Sequence, residues 1–279
     1  RAIDEGSAPI LHSDDESRRT FWLIVGNGAL SMMGGAFFAV DTVLAGLAES
    51  LTGSSLCVGL LITVSAIGWV WPQLFVGHYL ESKARKMPAY LLSAIGRMAS
   101  LVVMGVLVYF WKGSPWSLYW LLVVMMALFS SFGGIVGIPF MDILAKSIPY
   151  SRQPMMWAYR HLFGGLLGFA ASMMIVWVLS ERSGLSYPAN YALMMMAGAF
   201  LNCIAYVMFL MVREPVETVE ATRPSFIAFL RRGPSFFRED HDYRRLYLYR
   251  CMWAAASMSQ AVFVPCAVYY FAAPPSHTD

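Results

Sequence analysis

Few side chains in this sequence can do chemistry, and those that can interrupt long apolar runs. Arg97 stands ten residues into an apolar stretch that begins at Met87, ~15 Å along a helix rising 1.5 Å per residue. A bare charge near the middle of hydrocarbon costs at least ~2.5–3.5 kcal/mol on insertion scales, so it needs a partner, a wet cavity or an interface. A guanidinium there can hold an anionic solute or a coupling carboxylate, or it can sit in a buried structural pair. Asp41 lies twenty residues into the first apolar run, ~30 Å from its start and so near the far interface. It is either a proton-coupling group or an ordinary interfacial carboxylate. Asp142 and Lys146 are spaced i, i+4 and can pair on one helix face, and with Arg152 and Arg160 they form a charge cluster where two apolar runs meet. No nucleophile–base pair, phosphate-binding loop or metal-ligand spacing occurs, and Cys57, Cys203, Cys251 and Cys266 are dispersed without a CxxC pair. The expectation is a protein that is not an enzyme and that needs no metal or cofactor.

The elements that must position these residues follow from composition. With 58% hydrophobic and 13% charged residues and a mean hydropathy of +0.57, the chain suits a bilayer better than water. Six apolar spans are expected at about 21–45, 56–80, 87–111, 116–144, 155–179 and 187–212, each long enough to cross ~30 Å of hydrocarbon. A polar linker at 213–245 separates them from a seventh span at 246–271. Residues 1–20 read as a disordered tail, and 272–279 as a truncated end. The chain begins at Arg1 and is expected to be a fragment. The fold class is therefore an all-α polytopic membrane protein.

The basic residues fix an expected orientation. Arg1, Arg18 and Arg19 in the tail, Lys83, Arg85 and Lys86 between spans two and three, Lys146 and Arg152 between spans four and five, and seven linker arginines fall on one side. Lys112 and Arg182 fall on the other. This asymmetry places the tail, the charged loops and the linker in the cytoplasm. It argues against a seven-helix receptor or rhodopsin, as does the absence of a lysine from the seventh span. In the linker, Phe226, Phe229 and Leu230 precede Arg231 and Arg232, a pattern that suits a helix lying on an anionic leaflet. The same pattern argues against nucleic acid as a partner.

The charged hinge Gly77-His-Tyr-Leu-Glu81-Ser-Lys83-Ala-Arg85-Lys86 resembles the loop after the second helix of major facilitator superfamily transporters. Gly77, Arg85 and Lys86 match that pattern; Glu81 replaces its acid, Ala84 its second glycine, and Ser82 departs from it. Further segments resemble one bacterial branch of the family: Asp41-Thr-Val-Leu44, Leu51-Thr-Gly-Ser-Ser55, Trp71-Pro-Gln73, the run from Asp142 to Gln153, Arg160 to Gly165, and Val212-Arg213-Glu214-Pro215. The resemblance covers about 20–271. It implies the N-terminal six-helix half, plus the first helix of the second half, of a twelve-helix transporter in a bacterial inner membrane. The missing half, or a partner chain, would then be needed to complete a path. It further implies that Glu81, beside Arg85 and Lys86, gates alternating access. Spans one, four and seven would line a cavity, which makes Asn27, Ser31, Ser130, Ser131, Ser257 and Gln260 candidates for an uncharged or zwitterionic solute, unless they serve interhelical hydrogen bonds. The functional expectation is a secondary transporter of a small solute, with protons as a candidate coupling ion. The alternative is a transporter-like subunit that no longer transports and serves assembly or scaffolding.

Overall fold

The computed structural model describes residues 14–216, 226–227, 234 and 237–257. The expected tail up to residue 13, most of the aromatic–basic linker segment, residues 258–271 of the seventh span with Gln260, and the end at 272–279 lie outside the described residues. The chain forms two compact units divided after Glu220. Among the described residues of the first, seven α-helices run in order: α1 (Asp14–Ala36), α2 (Val43–Thr52), α3 (Ser55–Glu81), α4 (Met87–Phe110), α5 (Pro115–Ser147), α6 (Gln153–Leu179) and α7 (Ala189–Leu210). Among the described residues of the second unit, α8 spans His241–Ser257.

Proline and charge set most boundaries. Pro88, Pro115 and Pro154 fall in the first turns of α4, α5 and α6, where a missing N–H costs nothing because those amides have no intrahelical acceptor. Ser114 Oγ accepts the Ser117 amide at 3.2 Å and caps α5. At α8, Asp240 Oδ1 accepts the amides of Asp242 and Tyr243 at 2.9 and 3.0 Å. The helix therefore starts at His241, several residues before the expected start of the seventh span.

The first apolar run departs most from expectation. Residues 14–20, read as a disordered tail, are the opening turns of α1, and the three consecutive acids Asp14-Asp-Glu16 suit a helix N-terminus. The run then does not continue unbroken to residue 45. After Ala36 the backbone tightens, with Phe37, Phe38 and Ala39 amides each bonding three residues back at 3.3–3.4 Å, and a separate helix, α2, follows. Asp41 consequently stands in the break between two helices, exposed, and not within a continuous span.

Five helices, α3 to α7, are long and apolar enough to cross a membrane. Their packing has an internal regularity. The main contacts are α1 with α6 and α7, α3 with α5, and α4 with α5 and α7. Exchanging α1, α3 and α4 for α5, α6 and α7 maps this set of pairs onto itself. Close backbone approach makes two of the contacts: a Cβ on Gly34 would lie 3.0 Å from the Gly198 carbonyl oxygen, and one on Gly134 would overlap the Trp69 carbonyl. Three buried clusters fill the interior among the described residues, one around Leu47, Leu101, Met104 and Phe129, one around Ile24, Tyr90, Ile143 and Phe209, and a smaller one around Phe37, Val43, Ala171 and Met194.

Large apolar side chains also cover the outside. Leu92 is 73% exposed and Phe169 66%, and the exposed face of α6 adds Leu162, Leu166, Met173 and Val176. In water each such side chain would forgo about 1.5–3 kcal/mol of burial; against lipid tails it forgoes nothing.

Candidate functional site

Three groups of polar residues stand out from this apolar frame. The first knits the end of the bundle where α3 turns into α4. Lys86 is only 8% exposed, and its Nζ meets Asp142 Oδ1 at 2.8 Å. Asp142 Oδ2 also meets Lys146 Nζ, one helical turn on, at 2.5 Å. Glu214, beyond the end of α7, returns to the same place: its Oε1 accepts the Lys86 amide at 2.6 Å and its Oε2 the Met87 amide at 2.9 Å. One carboxylate thus caps two of the orphan amides that open α4, the position where a negative charge also meets the positive end of the helix dipole. Beside it, Arg213 Nη1 pairs with Glu16 Oε1 of α1 at 2.8 Å. Two lysines and two carboxylates balance charge here, and the exit of α7 is tied to the starts of α1 and α4.

The expected gating residues sit at the margin of this network. Glu81 and Arg85 are exposed, and among the described residues Glu81 forms no ion pair. Gly77 has open space apart from the tip of Ile138. Of the hinge motif, only Lys86 enters the network. The expected cluster of Asp142, Lys146, Arg152 and Arg160 is also corrected. Arg152 is exposed in the short 3-10 turn Tyr150–Arg152, and Arg160, about two turns further along α6, donates to acceptors on α1.

Arg160 makes the second group. Its Nη1 donates to Asn27 Oδ1 at 3.0 Å and to the Ile24 carbonyl at 3.2 Å. Asn27 in turn donates from Nδ2 to the Ala205 carbonyl at 2.7 Å. The guanidinium lies under the rings of Phe140 and Trp157, 4.9 and 5.4 Å from their centroids. A Cβ on Gly28 would overlap the arginine side chain. α1, α6 and α7 are therefore pinned together by a charge held on neutral acceptors. Asn27, expected either to face solute or to serve interhelical hydrogen bonds, is 2% exposed and does the second.

The third group surrounds Arg97. A cavity of about 470 Å³ lies among α1, α3, α4 and α5 and the turn after α1, and its wall includes Phe38, Trp69, Met126, Phe129 and Arg97. The Arg97 guanidinium lies 4.4 Å from the Phe129 ring centroid and 5.6 Å from that of Trp69. Its Nε is buried and has no hydrogen-bond acceptor. Among the described residues no carboxylate pairs with it. Across the cavity, Ser130 and Ser65 share a hydrogen bond at 3.0 Å. Ser131, one residue on, accepts the Trp71 indole N–H at 2.9 Å and so joins α5 to α3.

The remaining candidates are scattered. Ser31 is half-buried on α1 and lines neither this cavity nor the next. Asp41 and Thr42 border a second cavity of about 520 Å³ with Ser172 and Tyr191. Ser257 closes the described part of α8. The site residues that sequence reading missed are Trp69, Phe129 and Ser65, and Glu214 was noticed only as part of the segment after the sixth span, without its capping role. Glu214 left one signal: α4 opens on Lys86-Met87-Pro88 without a capping Ser, Thr, Asp or Asn, so its amides needed an acceptor from elsewhere.

Helices, exposed apolar faces and buried polar clusters together define an all-α integral membrane protein. No family model, no curated protein and no solved structure matches the chain.

Proposed function

We propose that this chain is the N-terminal half, with the first helix of the second half, of a secondary transporter of the major facilitator type, which carries a small solute by alternating access with its hinge end in the cytoplasm. The observation that carries the reading is the interchange of helix pairs. Two three-helix sets, α1, α3, α4 and α5, α6, α7, pack in the same pattern, and if successive helices of the six cross a bilayer in alternate directions, the two sets are inverted relative to each other. Inverted repeats of this kind are how many secondary transporters place a site near mid-depth, between elements that rock against each other. The Arg97 cavity lies at such a depth, about 15 Å along α4. The weight of basic residues at the hinge end supports the orientation.

The test is access to the cavity. Gly35 lines it, and a Cβ there meets nothing within 4 Å, so Gly35→Cys in the complete, otherwise cysteine-free protein is a benign probe. Alternating access requires that a membrane-impermeant maleimide reach this cysteine from each face of native membranes, in separate populations. Labelling from one face only, under every condition, contradicts transport and fits a scaffold subunit.

A further inference from the structure

We infer that the Arg97 cavity binds a small organic monoanion, a carboxylate carried on an apolar body. That a site exists rests on the geometry alone; that its ligand is the transported solute rests on the transport reading above.

An arginine inside a membrane protein is found paired with an acid, bonded to backbone, or facing a water-filled or ligand-filled space. Arg97 has neither an acid nor a carbonyl among the described residues, and it faces a cavity. The rings of Phe129 and Trp69 stabilise the charge through their faces but accept no N–H in the plane of the fork. A Cβ on Gly133 would lie 3.0 Å from both Cζ and Nη1, so the glycine lets the group lie against α5. With Nε enclosed, the Nη1–Nη2 edge is the one left to meet an oxyanion. That edge matches the two oxygens of a carboxylate in a bidentate pair.

The rest of the wall selects the body. Phe38, Val40, Ala66, Met126 and the two rings are apolar, and the volume of about 470 Å³ lies in the range of small-molecule sites. One cation balances one negative charge, so a dianion would leave a charge unpaired in an apolar space. No Asp or Glu lines the cavity, so the ammonium of a zwitterion would have no counter-charge and a simple cation would be repelled. Of the two solute classes expected from the sequence, this wall favours the anionic one that Arg97 could hold over the uncharged or zwitterionic one.

A carboxylate on an apolar body can come from a water-soluble acid or from a membrane fatty acid, and the experiment separates them. The complete protein in lipid nanodiscs is titrated calorimetrically with phenylacetate, with its neutral analogue phenylacetamide, and with oleate. Phenylacetate should bind at least about tenfold more tightly than phenylacetamide, the discrimination expected when a charge-assisted pair is lost. Arg97→Gln should abolish that preference, and Arg97→Lys should restore only part of it because the fork is gone. Gly35→Leu, which fills the cavity, should weaken binding with Arg97 intact. Binding of oleate but not phenylacetate, lost in Arg97→Gln, supports the same site with a lipid source. Equal binding of acid and amide by the unaltered protein, or binding of none of the three, overturns the inference even if no variant folds. Because the readout is binding to purified protein, failure of the transport reading leaves it standing, and the reverse holds as well.

Discussion

Arg160 and Arg97 are the same residue in the same kind of helix, and the bundle treats them in opposite ways. Arg160 spends its donors on Asn27 and the Ile24 carbonyl, with Phe140 and Trp157 over it. Arg97 also lies against two rings, yet its guanidinium is given no acceptor and looks into a cavity. A buried charge whose donors are satisfied is a strut, because removing it strands its acceptors. A half-buried charge whose enclosed Nε has no acceptor costs stability in the resting protein and is kept for what its open edge can bind. The difference between a structural and a receptive arginine therefore lies in the neighbours, not in the depth.

The sharpest way to break this comparison is to neutralise each arginine. Arg160→Met strands the Asn27 and Ile24 oxygens and should cost about 3 kcal/mol, read as a large fall in the thermal midpoint of the complete protein in detergent. Arg97→Met strands nothing and should leave the midpoint unchanged or raise it. A smaller effect sharpens the strut: Gly28→Ala pushes a methyl into the Arg160 side chain and should cost about 1–3 kcal/mol by overpacking, whereas Gly35→Ala, beside the cavity, should be near neutral. Smaller again is Glu214→Gln, which keeps an oxygen for the α4 amides but removes the charge from the helix terminus. About 1 kcal/mol is expected, with faster hydrogen exchange confined to the Lys86 and Met87 amides. The least effect belongs to Glu81→Gln. Exposed and in no ion pair among the described residues, it should change stability by less than about 0.5 kcal/mol, so any change it makes in transport or in access from the two faces would be a gating effect and not a folding one.

What could be read in the sequence follows the range of the physics involved. The five long helices were legible because apolar runs of span length end at local signals: Pro88, Pro115 and Pro154 in first turns, and Lys83 to Lys86 at the hinge. The break after Ala36 was not, since residues 36–40 are apolar enough to read as more span while the turn itself depends on Phe37 and Phe38 finding buried places. The fate of the arginines was out of reach for a different reason. Arg160 meets acceptors 133 and 136 residues away, and no local pattern tells it from Arg97. Asp142 and Lys146 were legible as a pair from their i, i+4 spacing, but the second lysine of that carboxylate, Lys86, arrives from another helix. Glu81 drew notice through its place in a motif, and the side chain itself gave no sign that it would be left at the surface.

One measurement tests the contrast between the two arginines most directly. Native membranes holding the complete protein are treated with phenylglyoxal, which modifies free guanidinium groups, and the modified positions are read by peptide mass spectrometry with and without phenylacetate. The expected result is modification of Arg97, suppressed by phenylacetate, with Arg160 spared throughout. Equal protection of both arginines, or reaction at Arg160 ahead of Arg97, would contradict it.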